Sequence, residues 1–114
     1  MKSETDFTAT LNYFTEKEVK NIKQFNSGMR SNIKFDSIIE RTSGEMIFFN
    51  NVKKMLPGET MHAYISILWK EKFSHKLHVG LRFKFFDGGS KVVGTGRITD
   101  IQNTSLKRKN NLNI

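Results

Sequence analysis

The sequence predicts an all-β protein, a small closed or nearly closed antiparallel barrel of six or seven strands, and three features of it carry that expectation. Apolar side chains recur at every second position in several separate segments. Those segments are joined by turn chemistry, with Asn50-Asn51 and Pro57-Gly58 the clearest cases, and convincing helical periodicity is almost absent. Five of the eight glycines fall between Gly80 and Gly96, which marks a hairpin built for close backbone approach.

Taken in order, Phe7, Ala9 and Leu11 alternate with Thr8, Thr10 and Asn12 as a half-buried first strand. Thr15 and Glu18 have capping-box spacing ahead of Val19 and Ile22, which fits a short helical turn over residues 16–23. Lys17, Lys20 and Lys23 suit an exposed loop there equally well. Ile33 and Phe35 define a second strand that Ile38 and Ile39 continue, and the run from Met46 to Phe49 fits a strand covered on both faces. Met61, Ala63, Ile65, Ile67 and Trp69 hold the longest period-two register and predict the central strand. In Leu81-Arg82-Phe83-Lys84-Phe85-Phe86-Asp87-Gly88-Gly89 the residues at 81, 83 and 85 share one face. The glycine pair predicts a tight turn with positive φ at Gly88 or Gly89, and a glycine-punctuated strand through Val93, Gly94, Gly96 and Ile101 returns beside the first.

A chain of 114 residues holds one ordinary domain, expected over residues 7–101 between a disordered N-terminus (1–6) and a basic disordered tail (102–114). There is no cysteine, so neither a disulfide framework nor a thiolate-ligated metal is available. No signal-like or membrane-spanning apolar stretch is present, so a soluble cytoplasmic protein is expected. Net charge is +8 and unevenly placed: residues 1–60 carry 9 basic and 8 acidic side chains, residues 61–114 carry 10 and 3. A one-sided positive field favours an anionic partner such as nucleic acid, or an acidic protein face.

Catalytic chemistry finds little support. The phosphate-binding loop of nucleotide hydrolases needs Gly-Lys-Ser/Thr, whereas Gly94 is followed by Thr95, so GTP hydrolysis is not expected. The Gly88-Gly89-Ser90-Lys91 segment remains a candidate backbone nest for phosphate. His75 and His78 have Glu71 as their one nearby acid, too few ligands for a metal. Asp87 and Asp100 lack an accompanying nucleophile or oxyanion site. No cofactor and no enzymatic activity are expected. Strand alternation turns Arg82, Lys84 and Phe86 outward, which makes Phe86 the candidate ring for stacking a nucleobase.

Several motifs together resemble the carboxy-terminal β-barrel, the third domain, of the bacterial elongation factor Tu family, here as a stand-alone chain. Met29-Arg30-Ser31-Asn32-Ile33-Lys34-Phe35 is similar to a family strand through Arg30, Phe35 and the apolar alternation. Arg41-Thr42-Ser43-Gly44 resembles a family turn ending in threonine-glycine, and Leu56-Pro57-Gly58-Glu59 resembles its methionine-proline-glycine-aspartate turn. The last hairpin is the closest match: Leu81-Arg82-Phe83, Gly88-Gly89, Val93-Gly94 and Gly96, with one extra residue near Ser90. The family's glycine-arginine-histidine loop is replaced by Lys20-Asn21-Ile22, and an arginine by Lys91.

The resemblance covers residues 7–101 and implies a Greek-key barrel without catalysis that binds the backbone of transfer RNA. It places Asn32, Ser43, Asp87 and Gly88 at the RNA-contacting positions, with Arg30 and Lys91 as the cations of the same face. Asn32 and Asp87 are each one methylene shorter than the family's residues, and Asp87 keeps a carboxylate able to accept from a ribose hydroxyl. The expected partner is structured RNA such as tRNA, or a translation-related protein for which the barrel acts as decoy, inhibitor or adaptor. Neither DNA nor a membrane is an expected partner.

Overall fold

The computed structural model describes residues 4–109. Its strands are β1 (Phe7–Tyr13), β2 (Phe25–Asn26), β3 (Arg30–Phe35), β4 (Arg41–Phe48), β5 (Lys54–Met55), β6 (Thr60–Ile67), β7 (Arg82–Phe86) and β8 (Val92–Ile101). Six of them close an antiparallel barrel in the order β1, β6, β4, β3, β7, β8, with β8 pairing back onto β1. The strands β3, β4 and β6 form a meander and β1 lies beside β6, the Greek-key order. Closure leaves these six without an open edge, and β2 pairs with β5 as a separate short ladder. No α-helix occurs among the described residues; three short 3-10 turns stand in the connections.

Two aromatic clusters fill the barrel. At the end where β1 begins, Phe7, Phe35 and Phe83 meet edge to face with centroids 5.7–6.0 Å apart, and Phe73 closes on Phe35 at 5.5 Å. At the end where β1 finishes, Phe85 stacks on Tyr13 at 6.2 Å and meets Phe25 at 5.8 Å. Pairs of this kind each add about 0.5–1.5 kcal/mol beyond the area they bury. Gly96 lies opposite Phe83 and Gly94 opposite Phe85 across the β7–β8 ladder. A Cβ on either glycine would stand within 2.3 Å of the facing ring, so each phenylalanine occupies the space left by the missing side chain. That is the close approach predicted for the hairpin.

Its turn differs from expectation. Neither Gly88 nor Gly89 has left-handed backbone; positive φ falls at Gly28, Gly58 and Gly80 instead. The cause is Asp87, whose Oδ1 accepts the N–H groups of Gly89 (2.8 Å) and Lys91 (3.3 Å) while its own N–H donates to the Lys91 carbonyl (3.0 Å). A carboxylate thus shapes the loop over residues 87–91, in place of a tight glycine turn.

Other local expectations change for equally local reasons. Ser37 takes φ 65° and turns the chain, so β3 stops at Phe35 and Ile39 is 89% exposed. Strand β4 is covered on one face: Met46 and Phe48 are buried and Ile47 is half-buried on the outside. Arg41-Thr42-Ser43-Gly44 opens β4 and is not a turn; Gly44 faces inward, where a Cβ would lie 2.7 Å from Ile33 Cδ1. Trp69 leaves the β6 register with φ 52°, its ring exposed beneath the Lys72 ammonium at 5.4 Å. Thr15 and Glu18 do make the reciprocal capping pair, yet residues 16–23 remain a series of turns anchored by buried Val19 and Ile22.

Both ends of the described chain are tied down where disorder is expected. Asp6 is 1% exposed and receives the Ile67 N–H and the Asn103 amide. Within the expected tail, residues 104–106 form a 3-10 turn that buries Leu106, and Leu77 bridges to Lys107. One fully buried leucine and these backbone bonds were masked by the polar composition around them. Residues 1–3 and 110–114 of the expected disordered ends lie outside the described residues.

Candidate nucleic-acid interface

Where β1, β4 and β7 finish, the loop over residues 15–24 folds across the barrel mouth and bounds a cavity of about 320 Å³. The buried Val19 and Ile22 hold this loop in place, and the Tyr13 hydroxyl donates to the Lys23 carbonyl at 2.6 Å. Arg30 from the start of β3, and Asp87, Gly88 and Lys91 from the β7–β8 loop, line the cavity. Four of the six residues predicted from sequence therefore converge. Asn32 and Ser43 do not join them: they face each other across the β3–β4 ladder, on the outer wall.

Lys20 and Lys23 line the same cavity and were absent from the predicted site. Their spacing of three was legible, but nothing in the sequence says that a loop folds over the mouth. The cavity thus collects four cationic residues and one carboxylate. That carboxylate is partly committed, since Asp87 Oδ1 holds the loop N–H groups while Oδ2 accepts no hydrogen bond among the described residues.

Tyr13 titrates above the ordinary tyrosine value because burial disfavours its phenolate and, secondarily, the Asp87 charge repels it. Since the folded state holds the proton more tightly, this stabilisation is complete below about pH 10 and is lost as pH rises through the raised value. Tyr13 and Tyr64 are the two tyrosines, so a Tyr64→Phe chain reports Tyr13 alone. Its phenolate absorbance is expected to appear with a midpoint above 10. A midpoint at or below that value would remove Asp87 and burial as neighbours that matter.

Phe86 is not the open stacking ring predicted. The β7–β8 register shifts between Phe85 and Phe86, the side chain is 5% exposed, and the Arg41 guanidinium covers it at 4.9 Å from the ring centroid. The histidine pair is likewise engaged locally, His75 Nδ1 with the Lys107 carbonyl and His78 Nδ1 with the Val79 carbonyl. No group of three or more potential metal-ligating side chains occurs among the described residues. No family model and no curated protein sequence matches the chain.

Proposed function

We propose that this chain is a non-catalytic binding module for structured RNA, built on a barrel similar to the third domain of elongation factor Tu. The observation that carries the reading is the convergence of Arg30, Lys91, Lys20 and Lys23 around one cavity whose single carboxylate, on Asp87, is half-occupied by its own loop. Cations so gathered attract phosphate, and phosphate contacts supply most of the affinity of a nucleic-acid-binding surface. Asp87 Oδ2 is left to accept a ribose hydroxyl, a contact that DNA does not offer.

The test is an anisotropy titration with transfer RNA at two salt concentrations. Wild type is expected to bind at low salt and weaken steeply as salt rises. An Arg30→Ala, Lys91→Ala double variant is expected to show a salt slope smaller by about two, because each lost phosphate contact removes about one. Absence of wild-type binding at low salt, or a double variant with the wild-type slope, would count against RNA recognition by this face. The second reading, a protein-interaction module acting on a GTPase or a translation factor, draws on the exposed neighbours Leu68 and Trp69. It predicts binding that depends little on salt.

A further inference from the structure

The outer wall of the barrel carries an arrangement that its own stability does not explain. Lys34 on β3 lies directly opposite Arg41 on β4 and directly opposite Lys84 on β7. One step along the wall, Arg82 on β7 lies directly opposite Arg97 on β8. Like charges in register across a ladder repel, and sheet surfaces ordinarily place opposite charges or hydroxyls there. Among the described residues none of these five cations forms an ion pair within 4.0 Å; the pairs present are Lys70 with Asp6 and Lys76 with Glu40. Lys34 turns its ammonium to a backbone carbonyl and Arg41 lies over Phe86, whereas Arg82, Lys84 and Arg97 are exposed with no side-chain partner among the described residues.

The same two rows continue into neutral polar side chains. Lys84 is followed across β8 and β1 by Thr95 and Asn12, and Arg97 is followed on β1 by Thr10. These residues line a groove of about 730 Å³ in which Asp36 is the one carboxylate. Neighbouring strands stand about 4.8 Å apart, so the row of cations from Arg41 through Lys34 to Lys84 spans about 10 Å.

We propose that this wall is a second contact surface for structured RNA, a track for the sugar-phosphate backbone of a helical stem. Arg82, Lys84 and Arg97 take phosphates, and Thr95, Asn12 and Thr10 offer hydroxyl and amide groups to ribose hydroxyls, the pattern by which an RNA helix is read through its shape. Arg41 covers Phe86, and Phe86 also lines the mouth cavity, so the wall is continuous with the site above. The inference rests on the RNA reading of that site, and the experiment separates the two.

A labelled RNA hairpin and its DNA counterpart are titrated over a series of salt concentrations against wild type, a wall variant (Arg82→Gln, Lys84→Gln, Arg97→Gln) and the mouth variant Arg30→Ala, Lys91→Ala. The wall variant is expected to lose more than tenfold in affinity at low salt and to show a slope smaller by about three. Its melting temperature is expected to match or exceed that of wild type, since two like-charge pairs, Lys34 with Lys84 and Arg82 with Arg97, have been relieved; the single variant Lys84→Gln gives the same sign with a slope smaller by about one. RNA is expected to bind more tightly than DNA. If the wall variant keeps wild-type affinity and slope while the mouth variant weakens, the wall proposal falls and the RNA reading stands. If wild type binds no RNA at low salt, both fall. Equal binding of the DNA hairpin would overturn the ribose contacts, and displacement of RNA by polyglutamate at equal charge would assign the wall to an acidic protein instead.

Discussion

Gly94→Ala is expected to cost about 3 kcal/mol of folding stability, the upper end of what an added methyl does in a packed interior. Its Cβ would stand 2.3 Å from Phe85 Cζ and 2.6 Å from the Asn12 carbonyl oxygen. The ring cannot retreat, because Tyr13 stacks on it and Phe25 meets its edge, and the carbonyl belongs to the neighbouring strand β1. Gly96→Ala drives the same collision into Phe83, which Phe7 and Phe35 hold from behind. There the three nearest atoms all belong to the Phe83 ring, so Phe83→Leu in the Gly96→Ala background should recover part of the loss as a favourable coupling. Gly88→Ala, with nothing within 4 Å of its Cβ position and no positive φ, should change stability by no more than about 0.5 kcal/mol. Urea unfolding of these variants checks the order. A Gly88 variant as damaged as the Gly94 variant would restore the tight-turn reading of the loop.

Strand identity was legible because a barrel wall has one inside and one outside, and the period-two signal at Phe7, Ala9 and Leu11 or at Ala63, Ile65 and Ile67 reports it directly. The glycines of β8 were legible as a demand for close approach, although the sequence could not say that the partners were Phe83 and Phe85. What escaped was settled by the local course of the backbone and by a side chain bonding within its own loop. Asp87 replaced a glycine turn with a carboxylate-closed loop, and Ser37 and Trp69 bent the chain where the apolar pattern of their neighbours reads as extended. In the candidate site, Arg30, Asp87, Gly88 and Lys91 were found through the resemblance. Lys20 and Lys23 were missed because their place at the cavity depends on two buried residues, Val19 and Ile22, and on one tyrosine hydroxyl. The wall cations were visible as alternating residues, but their like-charge opposition exists only once β3, β7 and β8 are in register.

At the other end of the barrel, Asp6→Ala is expected to destabilise the protein by about 2–4 kcal/mol, since it strands the buried Ile67 N–H rather than merely deleting an ion pair. Asp6 Oδ2 accepts the Ile67 N–H at 2.8 Å and faces Lys70 Nζ at 3.3 Å, and Oδ1 accepts the Asn103 amide at 2.9 Å. Its backbone carbonyl takes the N–H groups of Gln102 and Asn103 at 3.0 Å, so one residue joins the start of β1, the end of β6 and the segment after β8. Lys70 is 45% exposed and returns to water when its partner goes. Lys70→Ala should cost less than Asp6→Ala, because the Asp6 carboxylate keeps the Ile67 N–H and the Asn103 amide as donors. The Ile67 N–H, in a residue 1% exposed, has no such escape, and leaving it unpaired is what the Asp6→Ala variant measures. Thermal or urea unfolding of both variants gives the ordering. Hydrogen exchange at the Ile67 N–H gives the mechanism, with loss of protection expected in Asp6→Ala and its retention in Lys70→Ala. Equal destabilisation by the two variants would show that the ion pair, and not the buried acceptor, closes this end of the barrel.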